Sequence, residues 1–154
     1  MAGGISFSVS VSGLTELIRR MRSMPSKMAI FLSDAMYRSL DALHKGVPPY
    51  PPERMGQKYI RTERLGQSMG SGFGGGATGR PDIYEVKMSG NSVEGVFGSR
   101  LGYAEYVIGN GTQAWMHAGR WWTVKTVLNN AMKAIESIWQ AVGERIRAYL
   151  DGGG

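Results

Sequence analysis

An α+β fold, with two long amphipathic helices packed on one face of an antiparallel sheet, follows from three features of the sequence. Ile5, Phe7, Val9 and Val11 alternate with serines, the period of two of a strand with one apolar face. Apolar residues recur at helical spacing over 26–45 and again over 123–150. Between these helices, Tyr84, Val86 and Met88 alternate with Glu85, Lys87 and Ser89 ahead of Gly90-Asn91, which reads as a β-hairpin.

Gly13 ends the first strand. "LTELIRRMRSM" reads as a short helix with Leu14, Leu17, Ile18 and Met21 inward and Arg19, Arg20 and Arg22 outward. Pro25 breaks that pattern and restarts it. Over Ser26–Lys45, Met28, Phe31, Leu32, Ala35, Met36, Ser39, Ala42 and Leu43 form one stripe, while Asp34–Arg38 and Asp41–Lys45 are acid-before-base pairs at i,i+4. "GVPPYPP" stops the helix and enforces an extended segment.

A long flexible loop is predicted over about 48–81, its glycines concentrated between Gly70 and Gly79. After the hairpin, "GYAEYVIGNGTQAWMHAGRWW" holds a strand or short helix around Tyr103–Ile108 and then a glycine-rich turn. The last helix, Thr123–Leu150, carries Val124, Val127, Leu128, Ala131, Ile135, Ile138, Val142, Ile146 and Leu150 on one stripe. "DGGG" at 151–154 is its frayed stop.

One domain, 1–154, accommodates this order, since 154 residues bury a real but modest core. With no cysteine, thiol chemistry, a disulfide framework and zinc ribbons are excluded. The first residues have neither the basic nor the apolar region of a signal peptide. No apolar run approaches the roughly 20 residues of a membrane span, so no membrane association is expected. The net charge is +6, and between Met1 and Arg64 ten Lys and Arg face five Asp and Glu. That balance favours an anionic partner, either nucleic acid or an acidic protein face.

Two motifs overlap at 66–79. Gly66-Gln67-Ser68-Met69-Gly70 fits G-x-S-x-G, the nucleophile elbow of serine hydrolases. An elbow needs an apolar strand before it and a helix after it, whereas "QKYIRTERL" is charged and "SGFGGG" is a poor helix start. Only His44 and His117 are available as a base. A phosphate-binding loop needs a Lys and a following helix, and the glycine run ends instead in "ATGRP". Two isolated histidines give no metal-ligand spacing. The sequence therefore argues against an enzyme, with no catalytic residue, cofactor or metal assigned.

Trp139 sits beside Ile138 and Val142 on the last helix and reads as core. Adjacent Trp121 and Trp122 cannot both point inward on a strand, so one of them is expected to meet solvent or a partner. Together with Tyr50, Arg54, Arg64, Phe73, Arg80, Tyr106, Trp115 and Arg120, these two tryptophans make up the candidate interface.

Three segments then resemble, in order, the small neck and tail-completion proteins of long-tailed bacteriophages. "SGLTELIRRMRSMPSKMAIFLSDAMYRSLDAL" matches that family's G-L-x-x-L helix, proline and long helix. "RTERLGQSM" matches its P-x-x-T-G-x-L-x-x-S-I segment at Thr62, Arg64, Leu65, Ser68 and Met69, with Glu63 in place of Gly. "GYAEYVIGNGT" matches Y-A-x-Y-V-E-x-G-T at Tyr103, Ala104, Tyr106, Val107, Gly111 and Thr112. The resemblance implies a structural virion protein of the head–tail junction, made in the host cytoplasm, that completes or joins the tail. It further implies a homo-oligomeric ring, six copies by expectation, between head-connector and tail-tube or tail-terminator proteins. DNA would pass through the lumen without sequence-specific binding. The alternatives are a basic nucleic-acid-binding module and, below it, a small serine hydrolase on Ser68.

Overall fold

The computed structural model describes residues 4–10, 25–89 and 92–152. Its elements are β1 (Ile5–Ser10), α1 (Pro25–Lys45), α2 (Arg64–Ser68), β2 (Ile83–Ser89), β3 (Ser92–Ser99), α3 (Ala104–Ile108) and α4 (Val124–Gly152). The sequence-predicted helix at 14–24, the end of the first strand at Val11 and the hairpin turn at Gly90-Asn91 lie outside the described residues.

The strands form one antiparallel sheet in the order β1-β3-β2. β3 is central, so each of its neighbours fixes its register. Phe7 pairs with Phe97 on one side and Tyr84 with Phe97 on the other. The alternation read from β1 holds where it can be followed, since Phe7 is buried between exposed Ser6 and Ser8. On β3 the inward residues Val93, Gly95, Phe97 and Ser99 are all buried.

α1 packs against β3 on one side and α4 on the other. Gly95 permits the first contact. A Cβ there would stand 2.7 Å from Met36 Sδ and 2.9 Å from Leu40 Cδ2. Because α1 is covered from two sides, its buried arc is wider than the stripe read from sequence and takes in Leu40 as well as Met28, Leu32, Ala35, Met36 and Leu43. Ser39 lies inside that arc without an orphaned hydroxyl. Its Oγ donates to Ala35 O at 2.8 Å and accepts from Trp139 Nε1 at 3.0 Å. Trp139 is thus half-buried core, as its helical position predicts.

Two clusters fill the space between helices and sheet. Met28, Leu32, Met36, Val93, Val142 and Ile146 form one, and Phe7, Leu40, Leu43, Val47, Met69, Phe97, Val127 and Ala131 the other. A third, smaller cluster of Leu65, Ala104, Ile108 and Trp121 joins α2 to α3 beyond the end of the sheet. Here the structure differs from the sequence reading in two respects. The span 48–81, expected to be loop throughout, contains the helix α2, whose Leu65 is anchored in the third cluster. The C-terminal helix does not stop at Leu150 but continues through Gly152.

Candidate functional site

Ser68 ends α2, and its hydroxyl is committed to structure. The Oγ donates to Leu65 O at 2.7 Å and lies 2.6 Å from Ser99 Oγ, which accepts from the Leu101 amide at 3.1 Å. A hydroxyl has one proton. Ser68 has given its own to Leu65, so Ser99 donates to Ser68. The result is a directed chain from Leu101 N–H through Ser99 and Ser68 to Leu65 O, with Ser68 only 6% exposed.

His44 is no base for it. Its Nε2 lies 2.7 Å from Gly70 O. A carbonyl only accepts, so Nε2 carries a proton and donates. The ring is buried against Phe97. Nucleophile, base and an open approach are all missing at the G-x-S-x-G motif.

The glycine run is folded back on the body of the protein. Gly70 O also accepts from the amides of Thr78 and Gly79, both at 2.9 Å. Gly76 N donates to Val47 O and Tyr50 N to Phe73 O, each at 2.8 Å, which staples the loop to the proline-rich segment. A phosphate cradle needs amides without protein partners. Those of Gly70, Ser71, Gly75, Gly76, Thr78 and Gly79 already donate to carbonyls. Among the described residues no three His, Asp or Glu side chains gather as a metal site, and no helix is long and apolar enough to cross a membrane.

What the fold does assemble is an aromatic pocket over the third cluster. Tyr50, Tyr59, Ile60, Arg61, Leu65, Tyr103, Val107, His117 and Trp121 enclose about 200 Å³. Tyr50 is the keystone. Its ring meets Trp121 and Phe73 edge-on, each at 4.8 Å, and its Oη accepts from Gly66 N at 2.7 Å. Burial pushes its pKa up. Arg61 spans the wall, with its guanidinium 5.4 Å from the Trp121 ring centroid and donating to Pro51 O and Pro52 O. Arg120 donates to Pro52 O as well, at 3.2 Å. His117 stands edge-on to both Tyr59 and Trp121. Burial, with Arg120 and Arg61 nearby, holds its pKa below the usual imidazole value.

The wall contains buried polar atoms without hydrogen-bond partners among the described residues: Arg61 Nε, His117 Nδ1 and Trp121 Nε1. Such atoms are uncommon in folded proteins, because each forfeits its hydration without replacement.

The candidate interface residues divide in the structure. Tyr50, Phe73, Trp121 and Arg120 are brought together around the pocket. Tyr106 and Trp115 stand out into solvent nearby at 55% and 86% exposure. Arg54, Arg64 and Arg80 are exposed and do not line the pocket. Of the tryptophan pair, one side chain is fully inward and the other only partly covered. Trp121 is buried and Trp122 half-buried against the core, because the chain here is an irregular turn in which consecutive side chains need not diverge. The solvent-facing tryptophan is Trp115. The candidate interface read from sequence leaves out Arg61, His117, Tyr59 and Tyr103, although the sequence offers His117 as a base and Tyr103 as part of the third motif. Their one visible signal is aromatic and basic residues recurring on both sides of the hairpin; only long-range contact between 50–62 and 103–121 makes a site of them.

Comparison with family models, curated proteins and solved structures finds no match to this chain.

Proposed function

We propose that the protein is a structural, non-enzymatic component of the phage head–tail junction. In this reading it acts as a closed ring of six copies around the DNA channel, joined to connector and tail proteins above and below. The observation that carries the proposal is the order of the three motif segments along one chain. Two of them also meet in space: Leu65 from the second shares one buried cluster with Ala104 and Ile108 from the third. Residues kept for such a junction would have a structural role, and the hydroxyl chain of Ser68 is consistent with one.

The surface supports an assembly role. Of the twelve exposed large hydrophobic residues among those described, eight (Met55, Tyr59, Ile60, Phe73, Tyr103, Tyr106, Trp115 and Met116) lie on the segments around the aromatic pocket. Concentrated exposed apolar surface marks protein contact sites. Rings arise when a patch on one copy meets a different patch on the next and the rotation closes.

A cryo-EM map of the neck of purified virions tests the proposal, with mass spectrometry of the same particles. The expected result is a closed ring of this chain between head and tail. Particles that lack the chain altogether would sink the reading. The basic charge favours a second reading, a nucleic-acid-binding module. It predicts duplex binding that weakens steeply with salt.

A further inference from the structure

We propose that the aromatic pocket is a socket for an acidic side chain, presented by an apolar segment of a partner protein. The inference deepens the assembly reading above by naming the chemistry of the contact, and it rests on three observations.

The first is the shape and lining of the site. About 200 Å³ bounded by Tyr50, Tyr59, Tyr103, Trp121 and Leu65 suits one side chain rather than a nucleotide. The second is its electrostatics. A ring-lined cage would attract a cation, but the cation–π position over Trp121 is already filled by Arg61. Arg120, which donates to the same Pro52 carbonyl as Arg61, adds to the repulsion of a second positive charge. Among the described residues Arg61 has no carboxylate partner and its guanidinium donates only to the Pro51 and Pro52 carbonyls, so the wall carries an uncompensated positive charge that an entering carboxylate would offset. Over residues 50–64 and 103–122 five Lys and Arg (Arg54, Lys58, Arg61, Arg64, Arg120) outnumber three acids (Glu53, Glu63, Glu105).

The third is the exposed apolar surface of the segments that build the site. Ile60, in the wall, is 91% exposed; Trp115, two residues before His117, is 86% exposed, and Met55, five residues before Ile60, fully so. A small free carboxylate would leave these side chains in water, and a duplex offers Ile60 and Met55 phosphate rather than apolar surface. A folded or extended protein segment covers them, and a ring of apolar contacts that excludes water strengthens the charged contact at its centre.

The test is an NMR titration of the full chain, following the tryptophan indole N–H signals. Four probes are used: the peptide acetyl-Gly-Phe-Glu-Phe-Gly-amide, its glutamine counterpart, sodium propionate and a short duplex DNA. The glutamate peptide is expected to move the Trp121 indole signal, assigned with Trp121→Phe. The glutamine peptide should bind about tenfold more weakly, the loss of one charge-assisted contact. Arg61→Gln should weaken the glutamate peptide by a similar factor and leave the glutamine peptide unaffected.

No shift with millimolar glutamate peptide overturns the proposal, as does equal binding of the two peptides. Propionate binding as tightly as the glutamate peptide overturns the assignment to a protein segment, and duplex DNA moving the same signal in preference to the peptide overturns it in favour of nucleic acid. Failure here leaves a ring in the virion possible by other contacts. Absence from the virion leaves a peptide-binding socket standing. The two readings therefore fail separately.

Discussion

Ser68 Oγ and Ser99 Oγ lie 2.6 Å apart in the buried seam where α2 meets the end of β3. This pair converts an apparent nucleophile motif into a structural tie, since both protons and both acceptors are spoken for. Ser68→Ala is expected to cost about 1–3 kcal/mol, because it strands the Ser99 hydroxyl in a buried site. Denaturant melts measure the loss. Hydrolysis of p-nitrophenyl esters should stay at the buffer rate in both proteins, and a wild-type rate that Ser68→Ala abolishes with the fold intact would falsify the non-enzyme reading.

Close approach of α1 to the sheet depends on Gly95. Adding one methyl there brings it within contact-breaking distance of Met36 and Leu40. Met36 is flexible and gives way in part. Gly95→Ala should therefore destabilise by about 1–3 kcal/mol, and Gly95→Val by more. The same line of contact makes Leu40 the sharper truncation. It is fully buried between sheet and helix, whereas Ile138 is only half-buried. Leu40→Ala should cost about 2–5 kcal/mol, and Ile138→Ala should fall at or below the low end of that range. Equal losses in thermal melts would mean that α4 lies deeper in the core than its exposure indicates.

The loop at 70–79 makes a prediction opposite to that for a dangling connection. Its contacts to Gly70 O, Val47 O and Tyr50 N are intramolecular. Removing residues 74–77 should lower the stability of the isolated chain and raise amide exchange at Tyr50 and Thr78, whose amides donate to Phe73 O and Gly70 O. An unchanged melting temperature would show that the staples contribute nothing.

Periodicity made the helices, the strands and the inward faces legible, because a half-buried element repeats its burial every 2 or 3.6 residues. The same logic placed Trp139. Where the chain is irregular the pattern has no period to report, so neither α2 nor the burial of Trp121 could be read. Leu65 anchors α2 through contact with α3, some forty residues on. The aromatic pocket is equally non-local. His117 looked like a loop histidine, and Arg61 one cation among many, until 50–62 folded across 103–121.

His117 gives the fold a pH dependence whose sign is set by its surroundings. Its folded pKa lies below the ordinary value of 6.5, through burial and then the nearby Arg120 and Arg61. The unfolded chain therefore binds more protons than the folded one between the two values, and stability falls as the proton concentration rises there. The contribution of a neutral His117 is fully present above pH 6.5 and is lost progressively as pH drops toward the folded pKa. Urea melts of wild type and His117→Phe across that window isolate it. The wild type should lose stability faster on acidification, and parallel curves would show that the imidazole is unperturbed.

Trp115 separates folding from assembly. At 86% exposure it contributes little to the core, and among the described residues none hydrogen-bonds its side chain. Surface substitutions of this kind usually change stability by no more than about 0.5 kcal/mol, so Trp115→Ala should melt with the wild type. If the apolar surface around the pocket meets another protein, the same change removes a large aromatic from the contact, and such anchors are worth about 2 kcal/mol or more. Incorporation of the variant into particles, measured against wild type expressed beside it, should then fall by an order of magnitude or more. Ile30→Ala provides the control, since Ile30 is 63% exposed on α1, away from the pocket wall. Normal incorporation of Trp115→Ala would place assembly on another face of the molecule; loss in both variants would mean that general surface hydrophobicity, rather than this patch, drives it.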